Sequence, residues 1–137
     1  AAPYNAAVAA RFPDPKASYR TPALQSGHAG FTTNAELAAA LRALVRDGSG
    51  GSAGGTTVRL VVPGRSQTGQ PIEALVFSRG TDGSAVALAA SGKPLVLLIG
   101  QQHGDEPASA EGLLAVAQEL AAGRPAIRNS RRVRPFR

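Results

Sequence analysis

The hydrophobic positions of this 137-residue chain change period along its length, and each change predicts an element. From Thr33 onward Leu37, Leu41, Leu44 and Val45 fall on one helical face, which predicts a helix ending at Asp47-Gly48. Its start carries a capping box, in which the Thr33 hydroxyl caps the first turn and Glu36 reaches back. Two β-rich runs follow, Val58 to Val62 and Ile72 to Ser78. The turn-rich stretch from Pro63 to Pro71 between them predicts an antiparallel pair with a long connection. After the turn signal Thr81-Asp82-Gly83-Ser84, Ala85 to Ala90 predicts a short strand or turn. Leu95-Val96-Leu97-Leu98-Ile99 is apolar without alternation, the pattern of a central strand covered on both faces. Pro107 suits the first position of a helix, and Leu113, Leu114, Ala117 and Leu120 give that helix a buried stripe before Gly123 ends it. The order helix, strand, strand, strand, helix is that of an α/β domain.

The remaining segments lack a period. Residues 1–31, rich in Ala, Pro and small polar residues, read as an extended arm over the surface, with Phe12, Tyr19 and Phe31 available to pin it. Residues 32–123 form the α/β unit. Residues 48–55 are a Gly/Ser/Ala linker. Its Gly48-Ser49-Gly50-Gly51-Ser52-Ala53 fits a dinucleotide-binding pattern formally, but it follows a helix where that chemistry needs a strand, so the nucleotide reading is rejected. Gly64-Arg65-Ser66-Gln67-Thr68-Gly69 has one residue too many for a serine-hydrolase elbow and lies in a hairpin loop.

Composition narrows the function classes. A 43% hydrophobic and 18% charged chain is globular, and no apolar run approaches the roughly 20 residues of a membrane-spanning helix. With no cysteine, a metal would have to be held by His and carboxylate. The opening Ala1-Ala2-Pro3 resembles what remains after signal cleavage at small residues, which predicts a periplasmic or secreted protein. The net charge of +6 comes entirely from Arg124, Arg128, Arg131, Arg132, Arg134 and Arg137, because residues 1–123 carry nine basic and nine acidic side chains. Only Phe136 is available there for stacking, so specific nucleic-acid recognition is not expected. Three readings compete for this Arg/Pro-rich tail, residues 124–137: a shifted reading frame or gene truncation, which would make it foreign to the fold; a natural basic tail; or the surface arm of a short variant.

The candidate chemistry lies in Gly100-Gln101-Gln102-His103-Gly104-Asp105-Glu106-Pro107, between the apolar run and the last helix. In an open α/β sheet, ligands bind beyond the carboxyl ends of strands, so the placement suits a site. His103 and Glu106, at i and i+3, can bring an imidazole and a carboxylate onto one zinc ion, with Gly104 supplying backbone freedom between them. The bland alternative is a histidine bonded to nearby backbone and a carboxylate at a helix N-terminus. His28, the other histidine, precedes the whole sheet in a glycine-flanked loop and reads as solvated. Glu111 is about 140° round the helix from Glu106 and reads as a helix-surface or supporting residue.

These residues, followed by Ala108 and Glu111-Gly112-Leu113-Leu114, resemble the first zinc-binding motif of the zinc metallocarboxypeptidases of the carboxypeptidase A and B type. Gly64 to Ile72 is similar to the hairpin segment of that family and Phe31 to Leu44 to its opening helix, so the resemblance covers about residues 31 to 123. It implies the N-terminal part of a mixed-sheet α/β zinc-carboxypeptidase-like fold, incomplete in this chain. It also implies zinc held by two histidines and a glutamate, a second glutamate as general base, and arginines gripping the substrate's terminal carboxylate. His103 and Glu106 match the first two ligands. The third ligand, the base and those arginines lie downstream in the family, past Arg137, so this chain is expected to lack peptidase activity. Peptide or peptidoglycan-like substrates are implied, and the apolar run, deprived of neighbours, would favour self-association. The H-G-D/N-E core also occurs in the aspartoacylase and succinylglutamate desuccinylase group, which keeps an acyl-amino-acid amidohydrolase open. From another class, a noncatalytic binding module with a structural HGDE turn and a basic tail remains open too.

Overall fold

A computed structural model describes residues 6–11, 19–48 and 55–123. Phe12, most of the Gly/Ser linker and the Arg/Pro-rich tail lie outside the described residues. The elements in chain order are α1 (Ala6–Arg11), a 3-10 turn (Pro22–Leu24), α2 (Asn34–Gly48), β1 (Thr56–Arg65), β2 (Pro71–Arg79), α3 (Ala85–Ala90) and α4 (Pro107–Ala121). The described part is α/β: α2 and α4 pack on each other and against an antiparallel hairpin of β1 and β2. Among the described residues no helix is long and apolar enough to cross a membrane.

The hairpin is longer, and its connection shorter, than the hydrophobic runs predict. Pairing runs from Thr56 opposite Arg79 to Arg65 opposite Pro71, with a shift of register between Val61 and Gly64. Pro63 has no N–H to donate, and the shift places it in a bulge, so the strand continues past the proline instead of stopping at it. Ser66–Gln70 closes the turn: the Gly69 N–H donates to the Ser66 carbonyl (2.9 Å) and the Ser66 N–H to the Gln70 carbonyl (2.8 Å). Gly69, at φ 79°, takes the left-handed position that this turn requires.

Period two then fixes which face meets the helices. Thr56 and Val58 are buried, and the register sets Val58 opposite Phe77 and Leu60 opposite Leu75. Glu73 shares that face of β2 and accepts from Arg42 Nη2 of α2 at 3.0 Å, which tethers the helix across the sheet. The other face is closed by the 79–84 loop, whose Thr81 carbonyl accepts from the Thr57 and Ser78 hydroxyls at 3.0 and 3.2 Å. Among the described residues the buried apolar side chains are Val58 of the sheet and Leu114, Ala117 and Ala121 of α4.

The capping box at Thr33 forms as the sequence predicts. Thr33 Oγ1 accepts from the Glu36 N–H (3.3 Å), while Glu36 Oε2 accepts from the Thr33 N–H (2.8 Å). Pro107 opens α4, and Gly123, at φ 64°, follows its end.

Three expectations are corrected. Ala85 to Ala90 is helix rather than strand or turn: the run is rich in the best helix former, and Ser84 Oγ caps it by accepting from the Ala87 N–H at 3.2 Å. Leu95 to Ile99 is neither a strand nor buried. It has no regular structure and is 55–80% exposed, because a strand is made by its neighbours, and among the described residues the sheet contains β1 and β2 alone. Finally, the N-terminal segment is not a plain extended arm. Ala6–Arg11 is helical, Tyr19 and Phe31 are exposed, and the segment is held by the burial of Thr21 and by polar bonds such as Gln118 Nε2 of α4 to the Arg20 carbonyl (3.1 Å) and the Ala23 N–H to Thr32 Oγ1 (3.1 Å).

Candidate metal centre

The HGDE loop is held at both ends before its side chains are considered. On the upstream side Gly100 lies so close to α4 that a Cβ there would come within 2.7 Å of Leu113 Cδ1 and 3.1 Å of the Ser109 carbonyl oxygen. Gln101 then takes a left-handed backbone conformation, φ 52°, uncommon for a residue with a side chain. Its N–H donates to Ser109 Oγ at 2.6 Å, and the same hydroxyl donates to the Glu106 carbonyl at 2.8 Å. On the downstream side Pro107 fixes the start of α4, and Glu106 precedes it as the N-cap residue with φ −111° and ψ 54°.

Glu106 makes no side-chain capping bond, so its carboxylate is available to the loop. It meets His103: Nδ1 of the ring lies 2.9 Å from Glu106 Oε1, and the Glu106 N–H donates to the His103 carbonyl at 3.3 Å. The pair is open to solvent, with the His103 side chain 73% and that of Glu106 52% exposed. The loop's left-handed residue is Gln101, not Gly104, and a Cβ on Gly104 would meet nothing within 4 Å. The motif follows an exposed irregular segment rather than a buried strand, so its placement comes from the contacts of Gly100 and Gln101 with α4.

The donor set fits zinc as a pair. An imidazole nitrogen and a carboxylate oxygen are zinc ligands at about 2.0–2.2 Å, and at a tetrahedral angle they stand about 3.3 Å apart. The two atoms are thus a few tenths of an ångström closer than a shared ion needs, a gap that side-chain rotation opens. Among the described residues no group of three or more His, Cys, Asp or Glu could hold a metal ion, so the remainder of a catalytic ligand set is not found there.

His28 is no third ligand, and neither is it solvated. Its Nε2 lies 3.0 Å from Glu36 Oε1 and its Nδ1 3.2 Å from the Gly30 carbonyl, with the side chain 18% exposed. Both nitrogens are engaged in tying the 28–30 loop to the start of α2. Glu36, bonded to the Thr33 backbone and hydroxyl and then to His28, has its pKa lowered from 4.5 to about 2. Glu111 departs from the surface reading as well. Both its carboxylate oxygens are buried with no hydrogen-bond partner among the described residues, since the side chain lies three residues before Leu114 on the inward stripe of α4.

Spacing singles out His103 and Glu106, which the structure brings together, but it gives no sign of the bonds that Gln101 and Ser109 make behind them. The one available signal was Ser109 three residues beyond Glu106, within reach of the preceding turn. A family model described as zinc carboxypeptidase matches residues 53–132, which takes in the hairpin, the HGDE loop and α4. No curated protein and no solved structure matches the chain.

Proposed function

The chain belongs to the zinc carboxypeptidase family, and from that premise we propose that His103 and Glu106 are two of the ligands of a catalytic zinc that serves hydrolysis of C-terminal peptide bonds. The observation that supports this is the 2.9 Å approach of His103 Nδ1 to Glu106 Oε1, on a loop with a fixed backbone and accessible side chains. Zinc, when bound there, supplies a water of lowered pKa and polarises the scissile carbonyl.

The chain's own residues do the positioning. His103 offers a ring nitrogen and Glu106 a carboxylate oxygen from one turn. The close packing of Gly100 on Leu113 keeps that turn against α4. Among the described residues no third ligand joins the pair, so we propose that the 137-residue chain by itself binds zinc through two side chains and turns over no peptide. Carboxypeptidase turnover by the purified chain would refute that.

The direct contact also favours a second reading, a noncatalytic module in which His103 and Glu106 form a structural pair. Zinc titration of wild type, His103→Ala and Glu106→Ala separates the two. The ligand reading expects both substitutions to weaken binding at least tenfold, whereas the module reading expects the same weak binding in all three proteins.

A further inference from the structure

We propose that Ser109 is a positioning residue for the metal pair, its hydroxyl acting as a clasp that sets where Glu106 presents its carboxylate. The inference rests on the reading of His103 and Glu106 as zinc ligands and adds a residue outside the ligand motif. A serine hydroxyl has one hydrogen to give and two lone pairs to receive. Ser109 uses the hydrogen toward the Glu106 carbonyl at 2.8 Å and one lone pair for the Gln101 N–H at 2.6 Å. One atom thereby bridges Gln101, two residues before His103, and the ligand residue at the loop's end. Among the described residues Ser109 Oγ is the acceptor of the Gln101 N–H, and that residue is in the left-handed conformation that only surrounding contacts maintain.

The clasp works from a rigid base. Ser109 lies in the first turn of α4, its own N–H also donating to the Glu106 carbonyl at 3.3 Å, and its backbone carbonyl is one of the two surfaces against which Gly100 is packed. The loop therefore cannot slide along α4 without breaking the Ser109 bonds. Removing the hydroxyl releases Gln101 and lets His103 and Glu106 sample separations other than the one a shared ion needs.

The test uses Ser109→Ala and Ser109→Thr in the full chain, with His103→Ala as the ligand control. The first readout is metal-free: amide hydrogen exchange at Gln101, expected to speed up at least tenfold in Ser109→Ala and to return toward wild type in Ser109→Thr. The second is zinc affinity against a chromophoric chelator, expected to fall about tenfold in Ser109→Ala, the scale on which groups supporting metal ligands act, and to recover in Ser109→Thr. Unchanged exchange at Gln101 overturns the clasp. Faster exchange with unchanged, His103-dependent zinc affinity overturns the positioning role alone. Zinc binding that ignores His103→Ala sinks the ligand reading itself, and the Ser109 proposal falls with it.

Discussion

Thr21 shows what a single buried atom can cost. Its side chain is fully buried, and Oγ1 has no hydrogen-bond partner among the described residues, while its carbonyl accepts from the Leu24 N–H and from Gln25 Nε2. Valine has the same shape without the hydroxyl, so Thr21→Val should leave the turn intact and raise stability by about 1 kcal/mol, read as a higher thermal midpoint. Glu36 gives a pH signature instead. Its folded pKa of about 2 lies below its ordinary 4.5, so the stabilisation it lends is complete above 4.5 and lost as pH falls toward 2. The thermal midpoint of wild type should therefore drop relative to that of Glu36→Gln across that window, and parallel curves would show that the cap is not the cause. At this scale the sequence is legible where a pairing is local: Thr33 with Glu36, and His103 with Glu106, stand three residues apart. It is not legible where a residue answers to its surroundings, as Gln101 does in adopting a conformation that glutamine alone gives no reason to expect.

Helix α4 and the hairpin are legible as elements because their signals are carried within them, in the proline at the first position, the apolar stripe, and the alternation of β1. Even there the bulge moves a boundary, since a proline that reads as a terminator is absorbed by offsetting the register. The apolar run from Leu95 to Ile99 is different in kind: hydrophobicity says what would be gained by burial, not whether anything stands alongside. Leu97 decides between the two descriptions, being 77% exposed here. Leu97→Lys should change chemical-denaturation stability by no more than about 0.5 kcal/mol, as surface substitutions do, whereas in a buried central strand an unpaired charge would cost several kcal/mol.

For the whole molecule, the family match and the architecture answer different questions. The match over residues 53–132 assigns the family, while the described residues give an α/β arrangement with two helices on a hairpin. Five exposed aliphatic residues in sequence form an apolar patch of the sort that drives association. Light scattering of the purified chain should therefore show a concentration-dependent mass, and Leu97→Lys should lower it. A mass that stays monomeric in both would mean that the segment is covered from within the same chain.

The two histidines of this protein each meet a glutamate but differ in exposure. His28 has both ring nitrogens engaged and little of its side chain in solvent, whereas His103 touches Glu106 through Nδ1 and stands open. An acylating reagent that attacks accessible imidazole nitrogen therefore has one ready target. Brief treatment with diethyl pyrocarbonate should carbethoxylate one of the two histidines, located at His103 by peptide mass, and zinc should slow its addition there. Labelling of His28 at an equal rate would mean that the tether to Glu36 is open in solution.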